Sequence, residues 1–200
     1  MGAVRVTSIL FSPFRHGGLS LKNRFVMAPM TRSFSPGHTP SRAVLDYYRR
    51  RAEGEVALIL SEGVSPNATT ATGTPDVPNI VFPEARRAFA DIASAVKAAG
   101  GRMGLQIWHE GPYRNPAKSE YPDIPSWSAS GEKVPGKKIW APMSEAEIET
   151  AIGEFVAAAE RGERCGFDML ELHCAHGYLL ASFISPLTNR RTDDYGGSLP

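Results

Sequence analysis

His173, Cys174, Ala175, His176, Gly177 and Tyr178 place two imidazoles and a phenol within six consecutive residues, directly after an apolar run. That run, Gly166 to Leu172, is short, opens on glycine and is mostly apolar, so it predicts a buried strand whose C-terminal end delivers the cluster. In barrels and open sheets built from alternating strands and helices, that edge is where ligands bind and chemistry happens.

If the chain leaves the strand and turns at 173–176, both imidazoles can aim an N–H at one oxygen atom. A carbonyl held that way is polarised, and each preorganised donor is worth about 2.7–4 kcal/mol where charge develops on the oxygen. Tyr178 can give a proton to a neighbouring carbon or hold a ligand by hydrogen bonding. A zinc site and a purely structural pair of buried histidines are the alternatives these residues leave open. No metal is expected, because the third ligand is missing nearby, Cys174 is expected to face the other way, and the chain has neither HExxH nor CxxC.

The elements that must position this cluster follow from hydrophobic patterning. Arg24 to Met30 predicts a first strand, followed by a loop and a helix from Ser41 to Glu53 with Ser41 as cap. Val56 to Ser61 (VALILS) is continuously apolar, as suits a strand covered on both faces of a parallel sheet. Pro83 to Ala99 predicts a second helix that opens on proline and stops at Gly100 and Gly101. Met103 to Trp108 is the third strand. The polar segment 109–142, with its prolines, glycines, Trp127 and Trp140, is too long for a routine connection and is expected to cap a site. Ser144 and Glu147 have the form of a capping box, and Ile148, Ile152, Phe155, Val156 and Ala159 recur at helical spacing behind it. Gly17 to Asn23 is expected to form a short hairpin with the residues before it.

Composition narrows the function classes. Across 200 residues, 42% hydrophobic and 22% charged content describe an ordinary globular chain, not a disordered one. No apolar run approaches a membrane span, and Met1 to Val6 carries no long hydrophobic signal region. A formal net charge of +1 gives no electrostatic case for nucleic acid. Arg49, Arg50 and Arg51 form the only basic run, expected as a solvated face near a helix C-terminus. Cys165 and Cys174 flank the fourth strand, which would hold them beyond bridging distance, so free thiols and a reducing, cytoplasmic compartment are expected.

Asn23 to Arg32 (NRFVMAPMTR), Tyr47 to Ala52 (YYRRRA), Leu105 to His109 (LQIWH), His173 to Tyr178 (HCAHGY) and Asn189 to Gly197 (NRRTDDYGG) together resemble the old yellow enzyme family of FMN-dependent ene-reductases. The resemblance covers nearly the whole chain, with the motifs in order. It implies an α/β fold, a TIM-type (β/α)8 barrel of which this chain supplies about the first four βα units, with an N-terminal hairpin and a cap after the third strand. Residues 1–200 would then be the N-terminal half of a single FMN-binding domain. The implied reaction takes a hydride from NADPH or NADH onto FMN and passes it to the β-carbon of an α,β-unsaturated carbonyl compound.

The resemblance also implies residue roles. Gln106 matches the glutamine that hydrogen-bonds the flavin's pyrimidine edge, which suits an amide that both donates and accepts; a buried strand glutamine satisfied by backbone is the alternative. Thr31 matches the hydroxyl beside the flavin's reactive carbonyl, unless it is an ordinary loop threonine. Pro29 and Met30 would contact the ring through backbone and apolar surface, and Gly63 would let backbone approach it closely. His173 and His176 resemble the pair that binds the substrate carbonyl, with His173 also at the cofactor, and Tyr178 resembles the proton donor. Some family members carry asparagine at the position of His176, and either side chain donates. Trp108 and His109 are expected to line or support the pocket.

The family barrel has eight units and a chain nearly twice this long, and a closed barrel typically needs about 250 residues. Strands five to eight, the basic residue that contacts the flavin and the glycine-rich backbone that holds its phosphate are therefore expected outside these 200 residues. Four strands alone leave two sheet edges open. The alternative to a catalytic chain is a half-barrel that assembles with a second copy of itself or with a separate C-terminal half, and is not catalytic alone. An inactive remnant is the third reading.

Overall fold

Apolar runs fold as parallel strands and the amphipathic stretches between them as outer helices; the computed structural model describes residues 9–197. Strands β1 (Phe14–His16) and β2 (Leu19–Leu21) form the expected antiparallel hairpin. Then come β3 (Val26–Met27), α1 (Arg42–Glu53), β4 (Leu58–Val64), α2 (Pro83–Ala98) and β5 (Arg102–Ile107). A small hairpin, β6 (Glu132–Val134) with β7 (Lys137–Lys138), lies in the segment 109–142, followed by α3 (Glu145–Arg164), β8 (Met169–Leu172) and the short α4 (Leu179–Ile184). The main sheet has the order β3-β4-β5-β8, every pair parallel. Sequential parallel strands with a helix on each crossover are half of a (β/α)8 barrel.

The outer face of the sheet carries the main core. Tyr48 and Ala52 of α1, Phe89 and Ile92 of α2 and Ala158 of α3 pack with Ile59, Met103, Leu105 and Ile107. On the inner face Leu21 of the hairpin meets Ala57, Leu58 and Leu60, so β1 and β2 cover the N-terminal end of the strands. The capping box at Ser144 and Glu147 forms as expected and starts α3. Ser41 holds the cap position of α1, but its side chain makes no capping hydrogen bond.

Three expectations need correction. The first strand shrinks from Arg24–Met30 to β3, and the second moves from Val56–Ser61 to β4, which runs on to Val64 and is buried throughout. The fourth strand is not buried: it begins only at Met169, and Leu170 and Leu172 of β8 are exposed. Among the described residues β8 pairs only with β5, so its far edge lacks a neighbouring strand. Both cysteines are free, Cys165 buried and Cys174 exposed. Met1 to Val6 and the residues from Ser198 to Pro200 lie outside the described residues. Among the described residues no helix is long and apolar enough to cross a membrane.

The segment 109–142 is held by buried polar anchors rather than by regular structure. Arg114 donates to the carbonyls of Thr72, Ile124 and Tyr121 and to Ser119 Oγ. His109, 2% exposed, stacks on Trp127 with ring centroids 5.7 Å apart. Its Nδ1 accepts from the Gly111 N–H at 3.0 Å, which leaves the proton on Nε2, 3.3 Å from Thr70 Oγ1. Burial, helped by the Arg114 charge, pushes its pKa down to about 3. The folded protein therefore keeps His109 neutral, whereas the unfolded chain binds a proton below about pH 6.5. Stability contributed at neutral pH is lost as pH falls from there toward 3, by about 2 kcal/mol between pH 7 and pH 5. Urea unfolding at those two pH values is expected to show that loss, and His109→Gln to reduce it by a similar amount. An unchanged pH slope in the variant would assign the loss to other groups.

Candidate active site

Because all four strands of the main sheet are parallel, their C-terminal ends open onto one edge. A cleft of about 1190 Å³, open to solvent, lies there. β3 leads to Ala28, Pro29 and Thr31 on its wall; β5 supplies Gln106 and leads to Trp108; β8 supplies Glu171 and leads to His173, His176 and Tyr178. Six residues expected from the sequence thus meet in one place: Pro29, Thr31, Gln106, His173, His176 and Tyr178.

The turn after β8 fixes the cluster. The His173 N–H donates to the Ile107 carbonyl at 3.0 Å, extending the ladder one residue past the strand. The chain then reverses through left-handed backbone at His176 (φ 57) and Gly177 (φ 76). A side chain at 177 would be strained by that φ and would meet the Tyr113 ring at 2.9 Å, so glycine is required twice over. Tyr178 follows at the start of α4, whose first N–H, at Leu179, donates to the His109 carbonyl at 3.1 Å. The ring of Tyr178 lies 4.9 Å from His173, 6.1 Å from His176 and 5.2 Å from Trp108, centroid to centroid. The His173 and His176 rings are 5.2 Å apart.

The protonation of these groups suits donation. His173 Nδ1 accepts from the Ala175 N–H at 3.3 Å, so the neutral ring carries its proton on Nε2. Burial and then the neighbouring His176 hold its pKa below the ordinary value. The Tyr178 phenol is pushed up by burial first and then by the Glu110 carboxylate, so it keeps its proton at neutral pH. Cys174 is also among the residues at the cleft, and burial raises its thiol pKa. Among the described residues no three His, Cys, Asp or Glu side chains are grouped to hold a metal ion.

Buried charges brace the cleft walls from behind. Glu62, whose side chain is 1% exposed, pairs with Arg32 at 3.0 Å and also accepts the Arg32 N–H, which pins the backbone next to Thr31. The Arg32 guanidinium lies 3.9 Å and 4.9 Å from the ring centroids of Tyr47 and Tyr48. Glu110 accepts from Thr72 Oγ1 at 2.7 Å, from the N–H groups of Gly73 and Thr74, and from Thr74 Oγ1. Thr74 in turn lines the cleft.

Met30 and Gly63 are not on its wall. Met30 lies between two lining residues and is 62% exposed. At Gly63 a Cβ would come within 2.7 Å of the Trp108 ring, so the space saved by this glycine is taken by the indole. Trp108 lines the cleft, whereas His109 supports it from the packed interior. Sequence reasoning missed Glu171 and Thr74. Glu171 had a signal: it is one of two charged residues in the apolar run 166–172, with Asp168, and it stands two positions before His173 and so on the same face.

The profile of a family described as NADH:flavin oxidoreductase / NADH oxidase matches residues 9–200. An NADPH dehydrogenase of Geobacillus thermodenitrificans is 35% identical over 212 aligned residues, covering 96% of this chain and 56% of that protein. The 12-oxophytodienoate reductase 2 of Arabidopsis thaliana is 36% identical, covering 95% of this chain and 53% of that one. Among solved structures, morphinone reductase superposes with a TM-score of 0.88 at 34% identity, covering 94% of this chain and 54% of its own. The chain spans about half the length of these relatives, with the strand order of a TIM barrel opened at its middle. It belongs to the NADH:flavin oxidoreductase / NADH oxidase family, the family of the old yellow enzymes.

Proposed function

We propose that this chain is the N-terminal half of an FMN-dependent, NAD(P)H-driven oxidoreductase that reduces the C=C bond of α,β-unsaturated carbonyl compounds in the cytoplasm. The convergence of His173, His176 and Tyr178 on one wall of the cleft carries this reading. The names of the relatives support it: an NADPH dehydrogenase, a 12-oxophytodienoate reductase, and a morphinone reductase solved in complex with tetrahydroNAD. Residues 1–200 form one half of a single domain, with 109–142 as its cap.

The residues fit a flavin ring. The cleft offers an amide at Gln106, a hydroxyl at Thr31 and the rigid apolar surface of Pro29 at the ends of β5 and β3, a mixture of donors, acceptors and apolar wall that matches a polar heteroaromatic ring. Gln106, Thr31, Pro29 and His173 would hold it. When bound, FMN supplies the hydride for the substrate's β-carbon. His173, through Nε2–H, and His176 bind the substrate carbonyl oxygen and stabilise the negative charge that develops on it. Tyr178 Oη–H protonates the α-carbon, and its raised pKa keeps that proton in place until it is needed.

The second reading, assembly, is favoured by a separate observation. Leu172, Ile152, Val156, Phe183 and Ile184 line an apolar groove of about 1200 Å³ beside the unpaired edge of β8. Leu172 is 52% and Val156 54% exposed, at the place where a fifth βα unit would continue the barrel. The remaining half-barrel, on the same polypeptide or as a complementary chain, covers that groove and supplies the rest of the cofactor site; without it the 200 residues are not catalytic.

In the full-length enzyme, Tyr178→Phe is expected to leave FMN binding and flavin reduction by the nicotinamide unchanged while enone turnover falls about 10²–10⁴-fold. Steady-state turnover with an enone substrate beside anaerobic flavin reduction checks this. Undiminished turnover would return Tyr178 to a pocket-lining role.

A further inference from the structure

Gln106 and Glu171 are register partners on adjacent parallel strands, so their side chains leave the sheet side by side toward the cleft they both line. Gln106 is 6% exposed, and its Nε2 donates to Glu171 Oε1 at 2.6 Å. Its backbone is fixed as well, because its N–H donates to Ser61 Oγ at 3.0 Å where the β4–β5 register shifts.

We infer that Glu171 is a positioning residue that locks the Gln106 amide in one of its two orientations and so fixes which hydrogen-bonding edge the cofactor meets. A primary amide can turn over and exchange its oxygen for its nitrogen at little steric cost. An ionised carboxylate accepts only, so the turned-over amide would set oxygen against oxygen. Glu171 therefore holds Nε2 on its own side and leaves the amide's Oε1 and second N–H for the occupant of the cleft. An acceptor beside a donor complements a ring edge on which an N–H stands next to a carbonyl, as on the pyrimidine side of a flavin. The inference rests on the flavin reading and adds a residue to it. The lock is charge-assisted, and it needs the length of a glutamate side chain on the neighbouring strand.

The test is a double-mutant cycle on the full-length protein, stripped of flavin and titrated with FMN by fluorescence quenching. Glu171→Gln puts a second reversible amide in place of the carboxylate and is expected to weaken FMN binding about tenfold. In a Gln106→Leu background the same substitution is expected to change binding by less than about twofold, because no amide is left to orient. Thermal melts of the apoproteins establish that each variant folds; if Glu171→Gln does not, Glu171→Met, which also lacks the carboxylate, takes its place in the cycle. An unaltered FMN affinity in Glu171→Gln, or equal losses in both backgrounds, would overturn the inference while leaving the flavin reading intact. A parent protein that takes up no FMN would overturn both.

Discussion

The parallel pairing of β3, β4, β5 and β8 is the constraint on which the site depends. Parallel strands share a direction, so everything that follows a strand emerges on one edge, and the register decides which side chains stand next to one another there. Gly63 beside Gln106 and Gln106 beside Glu171 are consequences of that register, as is the Ile107 carbonyl that receives the His173 N–H. The antiparallel alternative would send adjacent strand ends to opposite sides and scatter the same residues. The helices make the parallel arrangement possible by returning the chain across the outer face, where aromatic and aliphatic side chains of α1 and α2 are buried against Ile59, Met103 and Ile107.

Polar interactions then turn an edge into a site. Two buried carboxylates back the cleft: Glu62, whose oxygens accept from the Arg32 N–H and guanidinium behind Thr31, and Glu110 on the 72–74 turn behind Thr74. Such groups are costly to bury and are tolerated where each acceptor is satisfied. His109 plays the same part in neutral form, joining the 70s loop, the segment that follows β5 and the start of α4 through Thr70, Gly111 and Leu179. The side chains of His173, His176 and Tyr178, by contrast, are partly exposed and hydrogen-bond little to the protein, which leaves their donors available to a ligand.

Much of this was legible in the sequence, and the reasons differ by residue. The capping box at Ser144 and Glu147, the hairpin at Gly17 and the order of strands and helices rest on local chemistry that tertiary context did not override. His173, His176 and Tyr178 could be read as one site because a strand end and a six-residue turn bring them together without help from distant elements. What could not be read depended on neighbours remote in the chain. The exposure of β8 reflects what pairs with its far edge, the close packing of Gly63 depends on Trp108 one strand away, and Glu171 acquires meaning only beside Gln106. Ser41 shows the opposite limit, where the cap position was correct and the side chain did not use it.

The central claim is that the edge of this half-barrel binds the carbonyl of an enone next to a flavin and acts on the step in which substrate is reduced. Anaerobic stopped-flow measurement of both half-reactions in full-length His176→Ala tests it most directly. Loss of one donor to the carbonyl oxygen is predicted to slow flavin reoxidation by enone about 10²-fold. Flavin reduction by the nicotinamide, which does not use that oxygen, is predicted to stay within about threefold of the parent rate. Equal slowing of the two half-reactions would contradict the assignment of this histidine pair to the substrate carbonyl.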